Sequence, residues 1–157
     1  MKIYFWSIGK ANEEYVKSGI EAFTKRISHY YPVEWKILPS VKNPVNLSVN
    51  DLKKGEADII LNLLDQKDTL ILLDEKGKQL TSEKLAELII TNANQSVKNL
   101  IFLIGGAFGV DEKVFKRANI IWSLSQLVFP HQLVRLILAE QVYRACTIIR
   151  NEKYHHT

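Results

Sequence analysis

Apolar residues along this chain fall into two patterns: short solid runs, and longer stretches where they recur every third or fourth position. Leu100-Ile-Phe-Leu-Ile104 is the clearest solid run. With no polar break, it fits a strand buried on both faces, as in a parallel sheet. Lys2–Ile8, Glu34–Leu38, Thr69–Leu73 and Ile120–Ser123 read as further strands. Between them, Val16, Ile20, Phe23 and Ile27 share one helical face, with Asn12 as the expected cap and Glu13 and Glu14 in the first turn. Pro39 and Pro44 bracket a loop. Ser48 with Asp51 opens a helix to about Leu64, with Leu52, Ile59, Ile60 and Leu63 inward. After Asp74 the stretch Glu75-Lys-Gly-Lys78 reads as a turn, and Thr81 or Ser82 then caps a helix to about Asn94, with Leu85, Leu88 and Ile89 inward. A short helix is expected from Asp111 to about Ala118, and a last one, with Pro130 in its first turn, to about Arg150. Strands and helices alternate throughout, without repeats or linkers. This predicts a single α/β domain over residues 1–157, its mostly parallel sheet flanked by helices.

The central run leads straight into Gly105-Gly-Ala-Phe-Gly109. Glycines there let the backbone turn sharply and let a ligand approach, and open α/β sheets bind ligands outside the carboxyl ends of their strands. The spacing is wrong for G-x-G-x-x-G, and no Asp or Glu occurs between Glu112 and Glu140 to hold a ribose. No Gly-Lys-Ser/Thr occurs either, which excludes a P-loop. The loop suits a ligand held by backbone contact rather than a cradled phosphate. Trp122-Ser-Leu-Ser-Gln-Leu-Val-Phe-Pro-His131 follows the last short strand and carries little charge. It reads either as a buried apolar connection or as a pocket wall offering backbone groups.

Charge changes the picture only in the C-terminal third. The net charge is +4, with 24% charged and 46% hydrophobic residues, the balance of an ordinary globular protein. Residues 113–157 hold seven Lys/Arg (Lys113, Lys116, Arg117, Arg135, Arg144, Arg150 and Lys153) against Glu140 and Glu152, a local excess of five. That is compatible with a polyanion-facing surface and equally with scattered solvated charge. No apolar stretch approaches the roughly 20 residues of a membrane span, Met1–Ile8 is too short for a signal peptide, and the single Cys146 rules out an intrachain disulfide. The expected compartment is the cytoplasm. Cys146 and His29 read as structural, and His155-His156 lacks the further ligands a metal site needs.

The last helix carries the candidate chemistry. His131 and Arg135 are four apart on one face, near the proposed pocket. Glu140 and Arg144 have the spacing of an ordinary helical ion pair. Tyr154 and His155 close a tail that is either trivial or able to stack on an RNA base.

Taken together, Ile8-Gly9-Lys10, Leu73-Asp74, Gly77-Lys78, Leu103-Ile-Gly-Gly106, Gly109, Ser123-Leu-Ser125, Phe129-Pro-His-Gln-Leu-Val-Arg135, Ala139-Glu-Gln-Val-Tyr-Arg-Ala145 and Tyr154-His155 resemble the RlmH family over the whole chain. These are SPOUT-class methyltransferases acting on pseudouridine in large-subunit (23S) ribosomal RNA. The resemblance implies a SPOUT sheet whose C-terminal segment forms a trefoil knot, and a homodimer. It implies S-adenosylmethionine bound by Leu73, Gly105 and the run Leu124, Ser125, Gln126, Leu127, Val128 and Phe129. It implies methyl transfer to N3 of the base, which carries a proton in the neutral form, so a general base is needed and a nearby cation would ease the developing negative charge. His131 is the candidate base and Arg135 the candidate charge stabiliser, while Glu140, Tyr143, Arg144, Tyr154 and His155 are candidates for binding RNA. The small basic surface favours assembled ribosomes as substrate. Two alternatives stay open: a SPOUT enzyme acting on tRNA or a ribose hydroxyl, and a non-catalytic ribosome-associated RNA-binding protein.

Overall fold

The computed structural model describes residues 1–41 and 46–155, so the Pro44 boundary and His156 lie outside the described residues. In chain order the elements are β1 (Lys2–Ile8), α1 (Glu14–Ile27), β2 (Val33–Leu38), α2 (Val49–Leu63), β3 (Thr69–Gln79), α3 (Ser82–Asn94), β4 (Asn99–Ile104), α4 (Glu112–Arg117), β5 (Ile120–Ser123) and α5 (His131–Ile149). The strands form one sheet in the order β2-β1-β4-β3-β5, and every pairing is parallel.

Strand β4 explains its own sequence. Leu100, Phe102 and Ile104 enter one core with Leu85 and Ile89 of α3 and Leu138 and Val142 of α5. Ile101 and Leu103 enter the other, with Ala57 and Ile60 of α2 and Val114 of α4. Successive side chains point to opposite faces, so a strand covered on both sides has no polar position. Helices α1 and α3 both pack against α5.

Three local expectations are corrected. Glu75–Lys78 is not a turn that ends a strand. β3 runs on to Gln79, with a register break in which Leu73 and Lys78 both pair with Trp122 of β5. Gly77 allows this close approach: a Cβ there would lie 2.7 Å from the backbone of Ile121 and Trp122. Asn12 does not cap α1; the N-cap is Glu13, without a side-chain cap, because the Asn12 carboxamide oxygen accepts from Arg135 Nη1 at 3.0 Å. Leu63 is exposed, and α2 buries Glu56, Ala57 and Ile60 instead. The Ser48 cap forms as expected, its hydroxyl accepting from the Asp51 backbone N–H at 3.1 Å. Thr81 caps α3 in the same way.

Candidate functional site

Strands β3, β4 and β5 end together at their carboxyl edges, and a cavity of about 480 Å³ opens there. That size suits a small organic ligand. Its walls are Leu73–Lys76 from the break in β3, Ile104–Val110 from the glycine loop, and most of Trp122–Phe129 after β5. His131 and Val134 of α5 close one side. Of the residues proposed to hold the cofactor, Leu73, Gly105, Leu124, Ser125, Leu127, Val128 and Phe129 line this cavity. Gln126 does not.

The β5–α5 segment is not a buried connection. Leu127 and Val128 are 71% and 82% exposed on the rim. The segment is shaped by its serines: Ser123 Oγ donates to the Ser125 carbonyl at 2.8 Å, and Ser125 Oγ accepts from the Leu127 N–H at 2.9 Å. Gly105 also has a different reason from the one its position suggested. A Cβ there would meet Val110 Cγ1 at 2.6 Å, so its smallness serves the folding of the loop on itself rather than ligand space alone.

His131 opens α5 after Pro130, which is the N-cap rather than a first-turn residue. Burial, and then the neighbouring Arg135 charge, hold the His131 imidazole below its ordinary pKa. It is therefore neutral at pH 7, with a nitrogen lone pair available. Arg135, expected beside the reacting base, is not a cavity residue. It is 1% exposed; Nε donates to Ser7 Oγ at 2.9 Å, and Nη1 donates to the Lys10 carbonyl at 2.9 Å and to Asn12. Gln132 binds the same β1–α1 loop through the Ala11 carbonyl and the Glu13 N–H. The start of α5 is thus pinned to the end of β1, leaving His131 facing the cavity.

A second cluster forms where the C-terminal tail folds back on α5. Glu140 Oε1 accepts from Arg144 Nε at 3.0 Å and from the Tyr154 hydroxyl at 3.1 Å. The Tyr154 ring lies 4.7 Å from that of Tyr143 and under the Arg144 guanidinium. Burial, then Glu140, raises the Tyr154 phenol above its ordinary pKa, so it remains a donor. His155 Nε2 lies 2.8 Å from Glu83 Oε1 on α3. The structure thus brings Glu140, Tyr143, Arg144 and Tyr154 together, with His155 anchored beside them on α3. His131 is thirteen residues before Arg144 along α5, about 20 Å at the usual helical rise.

Sequence reading missed several participants. Asp74, Glu75 and Lys76 reach the cavity only because β3 breaks register, and Lys53 and Phe108 also line it. Arg26 stacks over Tyr143 from α1, a contact no local pattern announces. Part of the basic excess has other work: Arg117 donates to the Asp65 and Asp68 carbonyls, and Lys116 pairs with Glu112. Burial raises the Cys146 thiol to about 12, which leaves it inert. Among the described residues, no group of three or more His, Cys, Asp or Glu could hold a metal, and no helix is long and apolar enough to cross a membrane.

Residues 1–155 match the family model described as "Predicted SPOUT methyltransferase". The chain is 49% identical to a protein named ribosomal RNA large subunit methyltransferase H from Cytophaga hutchinsonii, over 99% of this chain and 100% of that one. It is 43% identical to a protein of the same name from Christiangramia forsetii, over 99% of each. In fold it is similar to a probable methylase family protein from Haemophilus influenzae, with a TM-score of 0.52, 9% identity, and coverage of 99% of this chain and 70% of that one.

Proposed function

The chain belongs to the SPOUT methyltransferase family, and from that premise we propose that it methylates N3 of a pseudouridine in 23S ribosomal RNA, using S-adenosylmethionine, on assembled ribosomes in the cytoplasm. One observation carries this reading: the glycine loop, the end of β3 and the segment after β5 converge on one cavity with a neutral His131 at its edge. The site fits the methyl donor chemically. Apolar walls suit an adenine ring, exposed loop backbone suits its polar edges, and the Asp74 and Glu75 carboxylates suit its positive charges. When bound, S-adenosylmethionine supplies an electrophilic methyl group.

The chain's own residues supply the rest. N3 of the neutral base carries a proton that must leave as the methyl group arrives. Neutral His131 accepts that proton or a hydrogen bond from N3–H. Arg135 acts at one remove, holding the start of α5 in place and biasing His131 toward its neutral form. The tail cluster offers stacking surfaces and cations to RNA, with Arg144 above Tyr154 and Arg26 above Tyr143.

The separation of the two clusters along α5 supports a homodimer in which one protomer's cavity faces its partner's tail. The reading also includes the trefoil knot. It is supported by β5 at the sheet edge and α5 returning to pack on α1 and α3. The deciding experiment is methyl transfer from labelled S-adenosylmethionine to 70S ribosomes and to free 23S RNA, followed by mapping of the modified base. Label at N3 of a pseudouridine in the ribosome supports the reading. Label on tRNA or on a ribose hydroxyl, or none, overturns it.

A further inference from the structure

The first turn of α3 touches the tail cluster twice. Glu83 meets His155, and Ser82 Oγ donates to Gln141 Oε1 at 3.2 Å while Gln141 Nε2 donates to Glu140 Oε2 at 2.6 Å. The Glu83 carboxyl is held down to about 2 by hydrogen bonds from the Thr81 hydroxyl, its own backbone N–H and His155. It is therefore a carboxylate and can only accept, so Nε2 of His155 carries the proton. In the neutral ring Nδ1 is then a bare acceptor. That atom is buried and has no hydrogen-bond partner among the described residues. A covered acceptor with a free lone pair is placed to receive an N–H from a bound molecule.

We propose that Glu83 is a positioning residue that fixes the His155 tautomer, so that His155 Nδ1 accepts N1–H of the substrate base and selects pseudouridine over uridine. This rests on the functional reading above. Pseudouridine is joined to its sugar through carbon and has two ring N–H groups. N3–H is at the reacting position, and N1–H remains. In uridine, which is joined to its sugar through N1, the corresponding ring position is C5–H, so an acceptor placed there stays unpaired. Sites built around a substrate N–H discriminate strongly against analogues that lack it. Among the described residues the His155 imidazole has one side-chain hydrogen bond, to Glu83, so the ring can pivot on that contact and turn Nδ1 outward as the base enters.

Two measurements test this. The first needs no substrate: ¹⁵N NMR of the imidazole in the full chain. His155 should show a protonated Nε2 and an unprotonated Nδ1, and Glu83→Ala should mix the tautomers while Glu83→Gln largely keeps them. An unchanged tautomer in Glu83→Ala overturns the role of Glu83. The second compares methylation of ribosomes carrying pseudouridine or uridine at the modified position. The wild-type preference should fall about ten- to a hundred-fold in His155→Phe and Glu83→Ala, the range expected for one lost hydrogen bond to a buried acceptor. His155→Asn, which keeps an acceptor, should retain part of it. A preference unchanged in His155→Phe overturns the selectivity claim. If the wild type methylates neither ribosome, the functional reading fails and the selectivity claim with it, while the tautomer measurement still decides the role of Glu83.

Discussion

The two ends of α5 are built from opposite materials. At its N-terminal end the cavity is made of glycines, apolar side chains and loop backbone, with His131 at the edge. At its C-terminal end Glu140, Arg144, Tyr143 and Tyr154 form a network of charged and aromatic side chains. A small, invariant ligand suits backbone contact, which holds shape without long flexible side chains. A polyanion suits cations and rings, which tolerate adjustment as RNA docks. Under the proposed function, donor binding and proton removal fall to one end and RNA recognition to the other.

The strongest way to break that division is to cripple each end separately. His131→Ala should lower single-turnover methylation about 100- to 10,000-fold, the usual span for an acid–base group, with methyl-donor affinity retained by calorimetry. Arg144→Ala should instead weaken ribosome binding and reduce its logarithmic salt slope by about one. Mixing the two variants should give more activity than the sum of the two alone if cavity and tail meet across a dimer. No recovery in mixtures shown to exchange protomers would place the whole site within one chain.

Arg135→Ala comes next in size and should act on stability. Removing the guanidinium strips donors from Ser7 Oγ, the Lys10 carbonyl and Asn12 and leaves a void, a loss of about 2–4 kcal/mol. Urea midpoints would show it, and Arg135→Lys should recover only part, since one ammonium cannot reproduce the planar fork. A fully stable Arg135→Ala with slow methyl transfer would return Arg135 to the reacting base.

Gly105→Val should cost about 1–3 kcal/mol by overpacking against Val110. Val110→Ala in the same chain should recover the stability. If methyl-donor affinity recovers too, Gly105 matters to folding alone; if it stays lost, Gly105 also faces the ligand.

The smallest effect is acid sensitivity. The folded-state pKa of His131 lies below its unfolded value near 6.5. Its neutral form therefore stabilises the fold above that value, and the contribution is lost as pH falls through the folded pKa. His131→Gln should flatten this part of the stability–pH curve in denaturant titrations. An unchanged curve would mean that other groups set it.

Strand and helix positions were legible because burial writes a period into the chain. β1 and β5 match their apolar runs end to end, and β4 extends its run by Asn99 alone. The caps at Ser48 and Thr81 were legible because a hydroxyl three residues before a free N–H is a local device. Asn12 failed as a cap because Arg135, 123 residues away, took its oxygen. The β3 turn failed because an edge strand, β5, offered further pairing partners beyond Leu73.

The sequence by itself determined the alternation of elements, the sheet's two-sided burial and the glycine loop at a strand end, since each follows from neighbours in the chain. Most of the residues its family motifs suggested for a ligand line the cavity. Only the tertiary structure decided that Arg135 turns away from the cavity, that Asp74–Lys76 enter it, and that Glu83 meets His155. Those outcomes depend on contacts between residues tens to more than a hundred positions apart. A side chain with several possible partners is committed only when packing brings one of them within hydrogen-bond distance.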